Sequence, residues 1–569
     1  MATEEEQQMR EVSVDTAAEM IEGGAYALDV REREEFAGGH VPGAVNIPMG
    51  QFTGRLDELD RDRPVVVICR SGNRSDAMTD VLRAAGFDAV NMVGGTLEWI
   101  EAGRPVEHPR ASALTVRVIE TPSLGDRSYL VHDGRVALVV DPQRDIDRVL
   151  DVLEADGVRL THVFETHIHN DYVTGGFALA QATGAAYHVN AEDEVSFQRT
   201  PVRDGDVVEV GERMRVRVLA TPGHTFTHLS YALAERSGAG ETAVGVFTGG
   251  SLLYGATGRP DLLGPDHTDA LVRHQHASAR KLADALPDDA AVFPTHGFGS
   301  FCSASQSEAT SSTIGEEKHS NPVLTQDEET YVRELLDGLA AYPAYYAHMA
   351  PLNTVGPEAP DLSLPELADA TELRRRIEAG EWVVDLRSRT AFAAGHAPGS
   401  LNFGLDGAFS TYLGWLIEWG TPVTLLGETA DQVAEAQREL VRIGIDRPAA
   451  HATGGPEDWS DQPLRSFETA TFADLAAVRH HREVVVLDVR REDEHDKVWI
   501  EGAVNIPIHE IPQRVAEVPE GEVWVHCAAG YRASVAASFL AAAGRHLVAV
   551  DDEFDNAAPA GLPMVGPEA

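Results

Sequence analysis

Two cysteine loops and a set of grouped histidines carry the reactive side chains of this 569-residue chain. Cys69-Arg70-Ser71-Gly72-Asn73-Arg74 and Cys527-Ala528-Ala529-Gly530-Tyr531-Arg532 share the spacing Cys-x4-Arg. A cysteine that ends an apolar run and is followed by a glycine loop and a helix points its thiol at backbone N–H groups and the positive end of that helix. Such a thiol is a thiolate nucleophile, and Arg74 or Arg532 is placed to lower its pKa and to hold an anionic donor. A second chemistry is written in Thr166-His167-Ile168-His169-Asn170-Asp171-Tyr172, Thr221-Pro222-Gly223-His224-Thr225 and Pro294-Thr295-His296-Gly297. His167 and His169 beside Asp171 can converge on a metal at the end of a strand, with His224 and His296 as distant ligands. Cys302 follows on a Gly-Phe-Gly-Ser-Phe loop, where its thiol either serves the chemistry near the metal or fills the core.

The elements that position these groups repeat along the chain. Asp29-Val30-Arg31, Asp385-Leu386-Arg387 and Asp488-Val489-Arg490 each end an apolar run and are followed at equal distance by Gly43, Gly399 and Gly502. Runs such as Val65-Val66-Val67-Ile68 and Val484-Val485-Val486-Leu487 are short, apolar and β-branched, as in strands buried on both faces of a parallel sheet. A helix is expected from Ser75 to Ala85, ended by Gly86. Alternating strand and helix predicts three doubly wound α/β units. The middle unit has no cysteine, because its strand Thr424-Leu425-Leu426 runs into Gly427-Glu428. Proline-rich stretches at Pro105 to Pro109 and Pro351 to Pro365 read as boundaries, which gives domains at 1–108, 113–350, 366–463 and 467–569.

Composition narrows the partners. A net charge of -45, with only three lysines, disfavours nucleic acid and anionic membranes. Three cysteines far apart suit free thiols better than a disulfide framework. The acidic start of the chain is not a signal peptide, and no apolar run reaches the roughly 18 residues of a membrane span. A soluble, cytoplasmic protein is expected, with a homo-oligomer left open.

The cysteine loops resemble the active-site loop of rhodanese sulfurtransferases. That resemblance implies that Cys69 and Cys527 carry a persulfide taken from thiosulfate or a low-molecular-weight persulfide, while the middle unit resembles a degenerate rhodanese used for packing or docking. The histidine module is similar to the metallo-β-lactamase superfamily, which implies an αββα sandwich. Gly249-Gly250-Ser251, Gly258-Arg259-Pro260-Asp261 and Thr313-Ile314-Gly315-Glu316-Glu317 with Asn321-Pro322 resemble persulfide dioxygenases more narrowly. In that family Fe(II), held by two histidines and an aspartate, oxidises a persulfide to sulfite, and the matching histidines are His167 and His224. The family aspartate is Gly250 here, and the usual last histidine of the His-x-His motif is Tyr172. Without that carboxylate, either His167, His169 and His224 form a three-histidine site suited to zinc, or Asp171 supplies the carboxylate. His296, Cys302, Arg259 and Tyr172 are then expected to support the ligands or meet the substrate. The resemblance implies sulfur transfer coupled to persulfide oxidation, with sulfite as an acceptor. A zinc thioester hydrolase of glyoxalase II type and a non-catalytic central scaffold remain as alternatives.

Overall fold

In a computed structural model of the protein, residues 10–567 are described, apart from 33–34, 37–38, 50–58, 60, 62, 108–113, 238–239 and 308. The acidic chain start and the boundaries expected at 1, 108, 113 and 569 lie outside the described residues. The chain divides into two compact units, one of residues 1–169, 174–339 and 352–359, the other of residues 170–173, 340–351 and 360–569.

The first unit begins with five parallel strands in the spatial order Glu11–Val12, Ala89–Met92, Val65–Ile68, Tyr26–Asp29, Val45–Asn46. Val65–Ile68 is buried along its whole length, as a central parallel strand must be when helices cover both faces. Val66 and Ile68 join the cluster containing Ala17 and Trp99, whereas Val65 and Val67 join Leu82 and Phe87. The two faces are therefore apolar for the same reason, and the sheet is doubly wound. Val106–Glu107 then pairs antiparallel with Thr115–Thr121, and Glu107 exchanges backbone hydrogen bonds of 2.7 Å with His40. That short strand joins the α/β layer to the sheet that follows.

Two further sheets complete the unit. One has seven strands in the order Thr200–Val202, Ala186–Asn190, Arg159–Phe164, Val136–Val140, Asp126–His132, Thr115–Thr121, Val106–Glu107. The other has five, in the order Val207–Val210, Met214–Ala220, Leu229–Ser237, Gly240–Gly249, Ala291–Pro294. Tyr129, Val131 and Phe164 of the first share a buried cluster with Val216, Tyr231 and Phe247 of the second, so the sheets pack face to face. Each such side chain contributes about 1.5–3 kcal/mol on leaving water. Helices Asp147–Asp156 and Gly176–Thr183 cover one outer face and Pro265–Ala285 the other, giving the αββα sandwich.

The second unit holds two parallel sheets. One runs Leu401–Asn402, Trp382–Asp385, Val423–Gly427, Ala450–Thr453, and the other Glu468–Ala470, Leu547–Val550, Val523–His526, Val485–Asp488, Val504–Asn505. Helix Tyr346–Val355 runs through Pro351, so the start of the stretch expected to be a linker is helical. A proline costs one helical hydrogen bond, which is tolerated here where the flanking residues Tyr345, Tyr346 and Met349 are buried.

The threefold Asp-x-Arg phrase is a structural clamp. Asp29 accepts from Arg31 Nε at 3.0 Å and Nη2 at 2.7 Å, and Arg31 Nη2 also donates to Gly39 O at 2.7 Å. Arg387 and Arg490 repeat both contacts, to Asp385 and Gly395 O and to Asp488 and Val498 O. Each clamp ties a strand end to the loop beyond it. The copy that lacks a cysteine keeps it.

Candidate functional site

Cys69 stands at the mouth of the strand Val65–Ile68 and before the helix Asn73–Ala84, which starts two residues earlier than expected. Gly72, at φ 90°, turns the loop into that helix. A Cβ on Gly95 would lie 2.3 Å from Cys69 O, so only glycine lets the second turn close over the loop. Cys69 is 1% exposed, and its Sγ accepts a hydrogen bond from Ser75 Oγ at 3.2 Å. Burial pushes the thiol up, but the Ser75 hydroxyl and the backbone N–H groups of Ser75, Ser71 and Gly72 outweigh it and leave the pKa below the ordinary thiol value. Arg74 is held in a two-pronged pair by Glu35 at 2.7 and 2.6 Å.

The second loop repeats this plan. Cys527, 2% exposed, accepts from Gly530 N at 3.2 Å, and Arg532 forms a two-pronged pair with Glu494 at 2.5 and 2.8 Å. Strand register places Gly427 where the cysteines stand, since Ile68, His526 and Leu426 pair with the three repeat aspartates. The glutamates are absent from the motif reading, although both lie six residues after the aspartate. At that offset the middle copy has Ala391, and five residues after Gly427 it has Gln432. Cysteine, arginine and glutamate are thus absent together from the middle copy. The middle domain instead touches the Cys527 loop. Arg389 Nε donates to Asp551 at 2.6 Å, Tyr531 Oη donates to Gly404 O at 3.0 Å, and a Cβ on Gly407 would lie 2.3 Å from the Tyr531 ring.

At the rim of the sandwich, His167, His224 and His296 offer ring nitrogens within 4.8 Å of one another, and all three are buried. Each Nδ1 is engaged: by Thr166 Oγ1 at 2.9 Å, by Arg259 O at 2.8 Å and by the Asp126 carboxylate at 2.9 Å. That leaves Nε2 as the converging atom of each ring, the arrangement by which second partners orient metal-binding histidines. His167 Nε2 is buried and makes no hydrogen bond among the described residues, an expensive state that a metal ion would relieve. Burial and the neighbouring histidines hold His167 well below the usual imidazole range, so the ring is in the neutral, ligating form. The donor set fits a divalent ion.

The expected ligands are thus partly regrouped. His296, read from its loop as a distant ligand and set among the supporting residues by the resemblance, joins His167 and His224. His169 turns instead to Glu165 at 3.1 Å and Asp141 at 3.3 Å. Burial pulls His169 down, but the two carboxylates prevail and its pKa is pushed up to about 10, that of an imidazolium in a carboxylate clamp. Asp171 and Tyr172 are buried, and their segment belongs to the second unit, where Val173 N donates to Arg442 O at 2.7 Å. Arg259 contributes its backbone carbonyl to His224, while its side chain pairs with Asp261 at 2.7 Å. Cys302 is fully buried with Sγ within 4.8 Å of a His296 ring nitrogen. A Cβ on Gly250 would lie 2.4 Å from His224 Cδ2, so the imidazole fills the space that a carboxylate at 250 needs. Asp126 and Glu165 carry no motif and could not be found by spacing. His228, also unforeseen, accepts from Gly250 N at 3.1 Å and pins the loop.

Comparison with known proteins agrees with this geometry. The rhodanese-like domain family matches residues 13–102, 369–462 and 471–555, and the metallo-beta-lactamase superfamily matches residues 126–296. The putative sulfurtransferase YtwF of Bacillus subtilis is 40% identical over 100 residues, 17% of this chain and 97% of that protein. The mitochondrial persulfide dioxygenase ETHE1 of Homo sapiens is 28% identical over 37% of this chain and 73% of its own length. A hydroxyacylglutathione hydrolase of Methylobacillus flagellatus is 39% identical over 18% of this chain and 41% of its own length. A metallo-beta-lactamase structure from Staphylococcus aureus superposes with a TM-score of 0.54 at 28% identity, covering 60% of this chain and 99% of the other. The cysteine loops, the αββα sandwich with its histidine centre and these matches together place the chain in the rhodanese-like family, with three such domains and one domain of the metallo-beta-lactamase superfamily.

Proposed function

We propose that the protein oxidises a low-molecular-weight persulfide to sulfite at the histidine centre and carries sulfane sulfur on Cys69 and Cys527. The observation that carries this reading is the convergence of His167, His224 and His296 in the same unit as the Cys69 loop, each ring fixed through Nδ1. His167, His224 and His296 would hold the metal. Iron(II) bound there would supply the activation of O2. The chain's own part is to keep the three imidazoles neutral and oriented, through Thr166, the Arg259 carbonyl and Asp126. At Cys69 the thiolate attacks the outer sulfur of thiosulfate, the S–S bond breaks, and sulfite leaves with the bonding pair. Ser75 and the loop N–H groups stabilise the thiolate before attack, and Arg74, oriented by Glu35, holds the donor oxyanion.

Protein reconstituted with Fe(II) under nitrogen and then mixed with air-saturated glutathione persulfide is expected to consume O2 and form sulfite. An absence of uptake overturns the oxidation. A second reading is favoured by one observation: the third ring is a histidine, and Gly250 leaves no room for a carboxylate. Three histidines suit zinc and an activated water. Zinc in protein purified without oxidation, with thioester hydrolysis and no O2 use, would establish a hydrolase in place of the oxygenase.

A further inference from the structure

A cavity of about 290 Å³ lies between the Cys69 loop and the loop that carries His296, both within the first unit. On one wall stand Arg70, the residue after the nucleophile, and Thr96, whose Oγ1 donates to Cys69 O at 3.0 Å. On the other stand Gly125 and Arg127, which flank the Asp126 that holds His296, and Phe298, two residues beyond His296. The cavity is thus lined by the sequence neighbour of the sulfur carrier on one side and by both sequence neighbours of Asp126 on the other. A smaller cavity of about 10 Å³ shares Ala309 with it and reaches His296 itself past Ser303, Ser305 and Ser307.

The lining selects a small anion. Of the lining charges, Arg31 is held by Asp29, Glu35 by Arg74 and Glu120 by Arg127, so Arg70 leaves the lining with a positive charge in excess. Arg127 lines the cavity with a side chain 11% exposed; its Nε pairs with Glu120, and its guanidinium stands over the Tyr254 ring at 5.3 Å. Leu97 and Phe298, 42% and 59% exposed, add apolar wall that offers an anion no rival hydrogen bonds. The chain carries a net charge of -45, so a dianion released to solvent is repelled from its surface. A cationic chamber between the two chemistries avoids that loss.

We propose that this cavity is a sulfite-binding passage from the histidine centre to the Cys69 persulfide, with Arg127 as the residue that holds the oxyanion. The inference rests on the oxidation proposed above for the source of sulfite. Within the passage the sulfur lone pair of sulfite attacks the outer sulfur of the Cys69 persulfide. The S–S bond breaks, the electron pair returns to Cys69 Sγ as thiolate, and thiosulfate leaves. No external oxidant or reductant is consumed.

Titration calorimetry under nitrogen tests the site without turnover. Full-length protein carrying Cys69→Ser and Cys527→Ser is titrated separately with sodium sulfite, thiosulfate and sulfate. One sulfite site is expected, weakened at least about tenfold by Arg127→Gln, because a charge-assisted pair is lost, and largely kept by Arg127→Lys. No sulfite binding, binding indifferent to Arg127→Gln, or sulfate bound as well as sulfite would each overturn the assignment. Leu97→Trp, which fills the cavity from an exposed position, gives an independent measure if Arg127→Gln does not fold. In iron-loaded protein with both cysteines it is expected to raise free sulfite, at the expense of thiosulfate, per O2 consumed; an unchanged ratio overturns the passage. If no O2 is consumed at all, the oxidation fails while calorimetry still decides the cavity.

Discussion

Ser75 shows how much chemistry one hydroxyl at a helix start can carry. It is the side chain that donates to Cys69 Sγ, and with the loop N–H groups it holds the thiol below its ordinary pKa against the opposing effect of burial. Ser75→Ala should therefore move the pH at which Cys69 is half-alkylated by iodoacetamide upward, read by mass spectrometry of its peptide in a Cys527→Ser background; a profile that stays in place refutes the role. Gly250 makes the opposite point, since its lack of a side chain is what allows His224 to occupy the centre. Restoring an aspartate there would seem to repair a familiar ligand set, but its Cβ would fall 2.4 Å from the imidazole. Gly250→Asp is thus expected to lower bound metal per chain, measured by plasma emission. A gain in iron content would show that the loop relaxes and that the steric argument is wrong.

The legibility of the elements follows from what sets them. Buried parallel strands announce themselves by β-branched runs, and glycine followed by a helical pattern announces the cysteine loops, so Val65–Ile68, Val485–Asp488 and both loops were readable. Spacing alone could not assign the histidines. His167 and His169 leave the same strand end, and which one joins His224 and His296 depends on Asp141 and Glu165, which capture His169. Asp141 sits on another strand end at φ 50° and is shaped by tertiary contacts with Thr166 and Thr295. The sheet also stores a titration that no motif reveals. His188, on the strand Ala186–Asn190, stacks against both His162 and Phe164 at 5.3 and 4.4 Å, and burial first, then His162, pulls its pKa down to about 4 from 6.5. The unfolded chain takes up that proton near the ordinary value and the folded chain does not. Stability is therefore complete above about pH 6.5 and falls as the pH drops towards 4, by about 3 kcal/mol from this group alone. Replacing His188 with phenylalanine should remove most of that fall, read as the hydrogen-exchange free energy of the strand at neutral and acid pH. An equal fall in both proteins would place the acid sensitivity elsewhere.

At the scale of the whole molecule, a domain emptied of chemistry still costs the cell its synthesis, and the contacts of the middle domain suggest what it returns. Its clamp is intact, its cysteine, arginine and glutamate are gone, and within the second unit it is pressed against the Cys527 loop. Arg389 reaches Asp551 beside Gly530, where a Cβ would meet both side chains at 2.2 and 3.1 Å. Ser534 Oγ donates to Asn402 Oδ1 at 2.8 Å, and the Tyr531 ring lies against Gly407 with its hydroxyl on Gly404 O. Tyr531 is the residue before Arg532, so any displacement of its ring moves the arginine that is to hold the donor. Gly407→Val should force that displacement. A shift of about 1 Å at a reacting group can cost on the order of a hundredfold in rate, so thiosulfate–cyanide transfer by Cys527, measured in a Cys69→Ser background, is expected to fall by roughly that factor. The same substitution in a Cys527→Ser background should leave transfer by Cys69 untouched, because the Cys69 loop lies in the other unit. If both carriers slow equally, the damage is general instability; if neither slows, the middle domain is packing without influence on the site.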